Sequence, residues 1–278
     1  MITKPNQVSD HLVHSGRPAR NDGRHVNLPI ELGSTIVFDT LAAFEAARDA
    51  RYETGTMYYG RYGNEATFQL EHALAELDGA AGVTLTSSGV AAISLVIDNA
   101  YANTRAFCEK VLIAMDVEVE YFDPMIGSGL ADLLRDTTCA VMLEAPGSGT
   151  FEVPDIPTIA AAARAANIPS ILDNTWATPL FCKPLELGVD VSVASGSKYP
   201  SGHSDCMMGV IASTAEHHKA IRQTVMAVGD KTGGQEVFLV LRGRRTRKIR
   251  MEAIDAAGRD MAAWMAEQPQ VKRVLHPA

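Results

Sequence analysis

The stretch SGSKYPSGHSD, residues 195–205, directly follows the apolar run VDVSVA at 189–194. The apolar run predicts a buried strand, which delivers Lys198 to the edge of a sheet. Small neighbours on both sides let a bulky ligand approach the backbone. A lysine in these surroundings suits covalent bonding to a carbonyl cofactor, because its amine must be desolvated and flanked by phosphate-binding groups. Taken alone, the segment is equally compatible with a solvated loop lysine.

The segments around this lysine alternate between strand and helix patterns. Short apolar runs predict strands, and longer runs with apolar residues at helical spacing predict helices. Such alternation with short links indicates an α/β domain around a largely parallel sheet. The predicted strands cover 140–143, 168–172, 189–194 and 209–212, and the predicted helices cover 41–48, 65–78, 90–97, 157–166, 236–242 and 248–268, with a further helix from Ala215.

Polar groups follow three of these strands at their carboxyl ends, where ligands of open α/β sheets bind. Asp173 ends one strand, the motif EAPGS at 144–148 ends another, and Lys198 follows a third. A lysine that forms a Schiff base and a carboxylate that keeps a pyridine nitrogen protonated are the two groups that a pyridoxal phosphate site needs. The motif SSG at 87–89, at a predicted helix start, adds backbone N–H groups for a phosphate. Together these residues predict a pyridoxal phosphate (PLP) site.

Four ordered motifs resemble those of the Cys/Met-metabolism PLP-dependent enzymes. They are DVSVASGSKY at 190–199 with GHSD at 202–205, YYGRYGN at 58–64, SSGVAA at 87–92 and DNTW at 173–176. Any one of them alone is a weak signal, whereas four in the order of the family are strongly specific. The resemblance implies an α/β fold, the PLP-dependent aspartate-aminotransferase-like (fold type I) large domain with a mainly parallel sheet.

The resemblance also implies three parts of the chain. These are an extended N-terminal arm at 1–50 with one short helix, a PLP-binding α/β domain at 51–245, and a linking helix with the start of a C-terminal domain at 246–278. We expect that C-terminal small domain to be largely missing. In the family it carries the arginine that binds the substrate α-carboxylate, and no residue here is assigned that role. Near Ile97 and Asp98, about ten residues of the family pattern are also absent, the length of a strand and its loop.

The resemblance carries roles onto particular residues. Lys198 is the implied Schiff-base lysine and proton carrier, and Asp173 is the implied partner of the pyridine nitrogen. Tyr101 is expected to stack on the cofactor ring, while Tyr59 and Arg61 reach the phosphate of a neighbouring subunit, so that a homodimer is the active unit. Lys198, Tyr101 and Tyr59 are the expected catalytic residues. The expected phosphate-binding residues are Ser88, Gly89, Val90, Ser195 and Ser197.

Several of these residues have a simpler interpretation when each is taken alone. Asp173 is compatible with a helix cap or a turn, Tyr101 with packing, and Arg61 with a surface charge. We interpret His203 as structural, because no role in the family transfers to it. The assignment to one site therefore depends on the combination of motifs.

Two features are similar to one branch of the family, the cystathionine β-lyases. These are the Pro-Gly-Ser form of residues 144–148, followed by Glu152 and Val153, and the position of Trp176. They imply β-elimination of L-cystathionine to homocysteine, pyruvate and ammonia, a step of methionine biosynthesis. Two alternatives stay open. One is a cysteine desulfhydrase or a γ-acting relative of the cystathionine γ-lyase or γ-synthase type, and the other is a truncated, non-catalytic homologue that binds PLP.

Composition limits the class of partner. The chain has 278 residues, of which 46% are hydrophobic, and a net charge of −8, which argues against nucleic acid and anionic membranes as partners. The basic run at 242–250 is expected on a solvated helix or at a subunit contact. Four cysteines and eight histidines show no metal-ligand spacing, so no metal site is predicted. We expect a soluble cytoplasmic enzyme for a small amino acid, a homodimer or, by the resemblance, a homotetramer.

Overall fold

Five strands form one sheet in a computed structural model that describes residues 5–17, 25–89 and 101–277. The strands are β1 (Gly82–Thr86), β2 (Val141–Glu144), β3 (Ser170–Asp173), β4 (Val191–Ser195) and β5 (Gly209–Ser213). Their spatial order is β1-β5-β4-β3-β2. The pairs β2–β3 and β3–β4 are parallel, whereas β5 is antiparallel to both β4 and β1. Four strands therefore share one direction, and the predicted mainly parallel α/β sheet is confirmed.

In the part of the chain that the structure describes, the helices and strands that the sequence pattern predicts are found. Each predicted strand and each predicted helix within the described residues is found with its ends shifted by at most two residues. The predicted helix at 90–97 lies outside the described residues. None of the described helices combines the length and apolarity needed to cross a bilayer. The helices are α1 (Pro5–His14), α2 (Leu41–Asp49), α3 (Glu65–Asp78), α4 (Ala102–Phe107), α5 (Ile156–Ala165), α6 (Thr178–Phe181), α7 (Ala215–Ala227), α8 (Gly234–Gly243) and α9 (Arg247–Ala266).

The helix α3 shows how local signals set its ends. At its start the Asn64 side chain accepts a hydrogen bond from the Thr67 N–H at 3.0 Å, which satisfies one of the free donors of the first turn. At its end Gly79 adopts a left-handed conformation with φ 68°, which glycine accommodates without steric cost. The helix thus begins and ends where the sequence predicts.

Two apolar clusters cover the two faces of the sheet. One packs α5 against β2, β3 and β4, and the other packs α3 and α8 against β1 and β5. The strand β5 contributes to both, because side chains alternate along a strand: Ile211 belongs to the first cluster, and Val210 and Ala212 belong to the second. The sheet is therefore buried on both faces, and a binding site can form only at the ends of its strands.

The N-terminal arm departs from the prediction. Residues 1–50 were expected to be extended apart from one short helix, but α1 is a second helix in this region. It is fixed by distant contacts, since the Arg244 guanidinium donates to the Ser15 carbonyl at 2.9 Å and to its hydroxyl at 2.6 Å. His11 forms a further hydrogen bond with the Ala73 carbonyl at 2.8 Å, and Leu12 is buried. Contacts with distant residues stabilise this helix, and the local sequence does not predict it.

The basic run at 242–250 is also different from the prediction. Arg244 and Arg247 are buried, so the expectation of a solvated run is wrong for these two side chains. Burial lowers the pKa of Arg247, and the buried carboxylate of Asp78 opposes that change. The run therefore joins the start of α9 to the body of the domain. The division of the chain at 50 and 245 stays a prediction.

A buried ion pair joins α7 to α3 and holds the loop that contains the Tyr-Gly-Arg motif. One nitrogen of the Arg222 guanidinium lies 3.0 and 3.1 Å from the two carboxylate oxygens of Glu71, and both side chains are almost fully buried. The other nitrogen donates to the Tyr62 carbonyl at 3.0 Å. Arg222 thus fixes the backbone next to Arg61, one of the predicted site residues.

Replacing Arg222 by Met is expected to lower the free energy of unfolding by about 3–5 kcal/mol, because the Glu71 carboxyl is then buried without its partner. Adding Glu71→Gln should restore part of that loss, since no charge is then left buried. Urea denaturation followed by far-ultraviolet circular dichroism measures both. The control is Arg259→Met, which breaks an exposed pair with Asp255 and should cost below about 1 kcal/mol. Equal losses in the single and double variants would contradict this account.

Candidate active site

The carboxyl ends of β2, β3 and β4 meet at one edge of the sheet, beside a cavity of about 330 Å³. These strands are parallel, and their register pairs Glu144 with Asp173 at the last position of β2 and β3. Residues from six segments of the described chain come together here. The predicted site residues that line the cavity are Ser88, Gly89, Tyr101, Asp173, Ser195, Ser197 and Lys198.

A tight turn after β4 presents Lys198 to the cavity. The turn is closed by a hydrogen bond from the Lys198 N–H to the Ser195 carbonyl at 3.2 Å, and by one from the Gly202 N–H to the Lys198 carbonyl at 2.7 Å. Gly202 has a φ of 75°, a conformation that favours glycine. Within the described residues, the Lys198 amine makes no hydrogen bond and no ion pair. It is therefore placed to bond to a carbonyl group in the cavity.

The Asp173 carboxylate is buried at the end of β3 and faces the same cavity. One of its oxygens accepts a hydrogen bond from the Thr175 N–H at 2.9 Å. Burial raises the pKa of Asp173, and the Thr175 hydrogen bond only partly opposes that effect. The Thr175 hydroxyl in turn accepts from the Ser195 N–H at 2.8 Å, which joins the ends of β3 and β4. A buried carboxylate in this position gains most from a protonated ring nitrogen as its partner.

Four of the predicted phosphate-binding residues, Ser88, Gly89, Ser195 and Ser197, lie together at the carboxyl ends of β1 and β4. Gly89, which has helical backbone conformation soon after β1, packs directly on Ser195: a Cβ at position 89 would lie 2.9 Å from the Ser195 Cβ. The turn before it is held by Asp230, whose carboxylate accepts from the Ser87 N–H at 3.1 Å. Ser88, between Ser87 and Gly89 in the chain, lines the cavity. Hydroxyl and backbone donors from two segments therefore converge on one place.

For four predicted residues the expected role is not tested. Tyr101 lines the cavity with 46% of its surface exposed, and its stacking on a cofactor ring stays a prediction. Tyr59 and Arg61 are not among the cavity residues, and the Arg61 guanidinium contacts the Met226 carbonyl. These two were expected to serve a neighbouring subunit, which also stays a prediction. Val90 lies outside the described residues.

The sequence motifs did not assign a role to several residues that line the cavity. Glu144 is buried, and burial raises its pKa to about 7, with a further contribution from the nearby Asp173 carboxylate. Its position at a strand end was visible in the sequence, but its contacts were not. Trp176 also lines the cavity, and its ring packs against Phe151 with centroids 4.8 Å apart. The remaining unassigned cavity residues are Asn103, Pro146, Ser148, Thr175 and Met207.

The side chains at this edge fit pyridoxal phosphate. The Lys198 amine suits its carbonyl group, the buried Asp173 carboxylate suits its ring nitrogen, and the donors around Gly89 suit its phosphate. The Asp173 carboxylate is buried, and its hydrogen bonds from the Thr175 N–H and side chain supply no positive charge, so a cationic partner in the cavity would stabilise it.

An α/β sheet with a lysine turn and a buried carboxylate at adjacent strand ends is the arrangement of a PLP-dependent enzyme. The chain belongs to the Cys/Met metabolism PLP-dependent enzyme family, whose sequence model matches residues 9–278. The predicted family, the fold class and the PLP cofactor are confirmed.

Relatives within this family catalyse more than one reaction. A cystathionine beta-lyase of Haemophilus influenzae is 35% identical and aligns over 98% of this chain and 72% of its own length. An L-methionine gamma-lyase of Streptomyces avermitilis is 34% identical, over 95% of this chain and 67% of its own length. Among solved structures, a cystathionine gamma-lyase of Micromonospora echinospora superposes with a TM-score of 0.85 at 28% identity, over 96% of this chain and 71% of its own.

Replacing Glu144 by Gln is expected to change how stability depends on pH in the cofactor-free protein. The folded pKa of about 7 lies above the ordinary value of 4.5, so the folded state keeps a proton that the unfolded state releases. Stability therefore falls as the pH rises through this interval, and Glu144→Gln should lose less. Urea midpoints at about pH 5 and about pH 8 measure the difference. Asp173 is present in both proteins, so the difference between them reports the ionisation of Glu144 together with its interaction with Asp173. Identical losses would contradict the raised pKa of Glu144.

Proposed function

We propose that this enzyme is a carbon–sulfur lyase that performs β-elimination on L-cystathionine, with homocysteine, pyruvate and ammonia as products. The observation that carries the proposal is the similarity of nearly the whole chain to a curated cystathionine beta-lyase, 35% identical over 98% of the chain. The strand end at Glu144 to Ser148, which has the Pro-Gly-Ser form of that branch, lines the cavity beside Lys198 and supports it. Trp176 lies in the same wall.

Bound PLP supplies an electron-accepting ring that stabilises the negative charge left when the Cα proton of an amino acid is removed. Lys198 would hold the cofactor through its amine, and the same amine, when free, would take the Cα proton as general base and pass it to the leaving sulfur. Water then converts the remaining three-carbon enamine into pyruvate and ammonia. Asp173 keeps the ring nitrogen protonated, which its burial favours because a nearby cation offsets the cost of a buried carboxylate.

The hydroxyl and backbone donors at the other end of the cavity hold the phosphate and fix the ring relative to Lys198. This role falls to Ser88, Gly89, Ser195 and Ser197, and we propose Val90 as a fifth donor. Tyr101 would cover the ring, and Trp176, which packs against Phe151, gives the cavity an apolar wall. An apolar wall excludes water from the charged intermediate steps and strengthens the interactions at the ring.

The active unit that we propose is a homodimer, with the homotetramer as the larger assembly and the cytoplasm as its compartment. Tyr59 and Arg61 support the dimer, because they line no part of the cavity of their own chain within the described residues. A phenol and a guanidinium from a neighbouring subunit would complete the phosphate site. Tyr59 then lies near enough to the cofactor to act as the third catalytic residue.

Two other functions each have a specific observation in their favour. A γ-acting relative is supported by the L-methionine gamma-lyase at 34% identity. PLP binding without turnover is supported by the cavity lining, in which the described residues include no arginine for a substrate carboxylate. A cysteine desulfhydrase would use the same Lys198 and Asp173.

The products formed from L-cystathionine separate these functions. Purified protein with added PLP is expected to release pyruvate and homocysteine, identified by liquid chromatography and mass spectrometry of the derivatised 2-oxo acids and thiols. Lys198→Ala is the control and should reduce the rate at least about a thousandfold, because both the covalent anchor and the base are lost. Release of 2-oxobutyrate instead of pyruvate would indicate γ-cleavage. A yellow protein that forms neither product would contradict the proposed lyase.

A further inference from the structure

Glu144 is a buried acid in the cavity wall that the mechanism above does not use. It is the last residue of β2, only 8% exposed, and its register partner is Asp173. Two carboxyl groups at adjacent strand ends raise each other's cost of ionisation. A plain apolar or amide residue would close this strand end without that cost.

Both carboxyl oxygens of Glu144 accept hydrogen bonds from outside β2. One oxygen accepts from the Tyr101 backbone N–H at 2.8 Å, and the other accepts from the Ser148 hydroxyl. Ser148 belongs to the loop that follows β2, and Tyr101 directly precedes α4. The carboxyl group thus connects three segments around the cavity.

Within the described residues, Tyr101 makes few other hydrogen bonds. Its hydroxyl accepts from the Asn103 side chain at 3.3 Å, and its carbonyl accepts from Thr104 and Arg105, all within the start of the same helix. Among the residues that the structure describes, the Glu144 contact is the one hydrogen bond that joins Tyr101 to the sheet. The place of the tyrosine ring at the cavity therefore depends on Glu144.

We propose that Glu144 is a positioning residue of the cofactor site, which fixes the Tyr101 ring at the cavity through the Tyr101 backbone N–H, with Ser148 orienting the carboxyl group. The inference rests on the cofactor site proposed above and holds for whichever sulfur amino acid the enzyme cleaves. Glu144 acts through Tyr101, so its effect vanishes when the tyrosine ring is absent.

Two readouts report this role without any turnover: the dissociation constant of PLP from cofactor-free protein, and the induced circular dichroism of the bound cofactor in its visible band. Glu144→Ala is expected to weaken PLP binding about tenfold and to reduce the dichroic signal, since the hydrogen bond that positions Tyr101 is lost. Glu144→Gln should stay within about twofold of the wild type, because its amide oxygen still accepts from the Tyr101 N–H.

A double-mutant cycle with Tyr101→Ala separates positioning from a general structural role. On the Tyr101→Ala background, Glu144→Ala should change PLP affinity by less than about twofold. Full additivity of the two substitutions, or a Gln variant as weak as the Ala variant, would overturn the proposal. Ser148→Ala, which removes only the orienting hydroxyl from an exposed residue, is the variant to use if Glu144→Ala does not fold, and it should weaken binding about threefold.

The control is Glu152→Ala, the same substitution in the loop after β2 at a side chain outside the cavity lining, which should leave both readouts unchanged. Lys198→Ala distinguishes failure of this inference from failure of the site. If Lys198→Ala and Tyr101→Ala both bind PLP like the wild type, the cavity is not the cofactor site and both proposals fall. If they weaken binding while Glu144→Ala does not, only the role of Glu144 is wrong.

Discussion

The buried carboxylate of Asp173 is the constraint on which the site depends. A carboxylate enclosed at the end of a strand loses its hydration, and the hydrogen bonds from the Thr175 N–H and side chain only partly replace it. Burial accordingly raises the pKa of Asp173. A cationic ring nitrogen in the adjacent cavity removes this cost, so the carboxylate and the cofactor stabilise each other. Parallel strands make this possible, because they bring a polar residue from each strand to one edge of a sheet that is apolar on both faces.

The neighbouring elements are arranged around that carboxylate. Thr175, two residues on, accepts from the Ser195 N–H and so fixes the end of β4, from which the Lys198 turn begins. Gly89 packs on the same serine and leaves no room for a side chain. The backbone turn that carries Lys198, the Asp173 carboxylate and the phosphate donors are therefore held at fixed relative positions before any ligand arrives. Such preorganisation is what allows a bound cofactor to react without rearrangement of the protein.

Features with a local cause could be predicted from the sequence, and features with a distant cause could not. The ends of α3 follow from Asn64 and Gly79, and the Lys198 turn follows from the small residues beside it. By contrast, α1 depends on Arg244, whose burial no local pattern reveals. The cofactor motifs identified the chemical groups of the site and the family. The contact between Glu144 and Tyr101 was missed, because a backbone N–H has no signature in the sequence.

The central claim is that Lys198 carries the cofactor at the edge formed by β2, β3 and β4. Borohydride reduction of the PLP-loaded protein, followed by proteolysis and mass spectrometry of the peptides, tests it most directly. The account predicts one phosphopyridoxyl group per chain, on the peptide that contains Lys198. A label on another lysine, such as Lys183 or Lys231, or a protein that takes up no label, would contradict it.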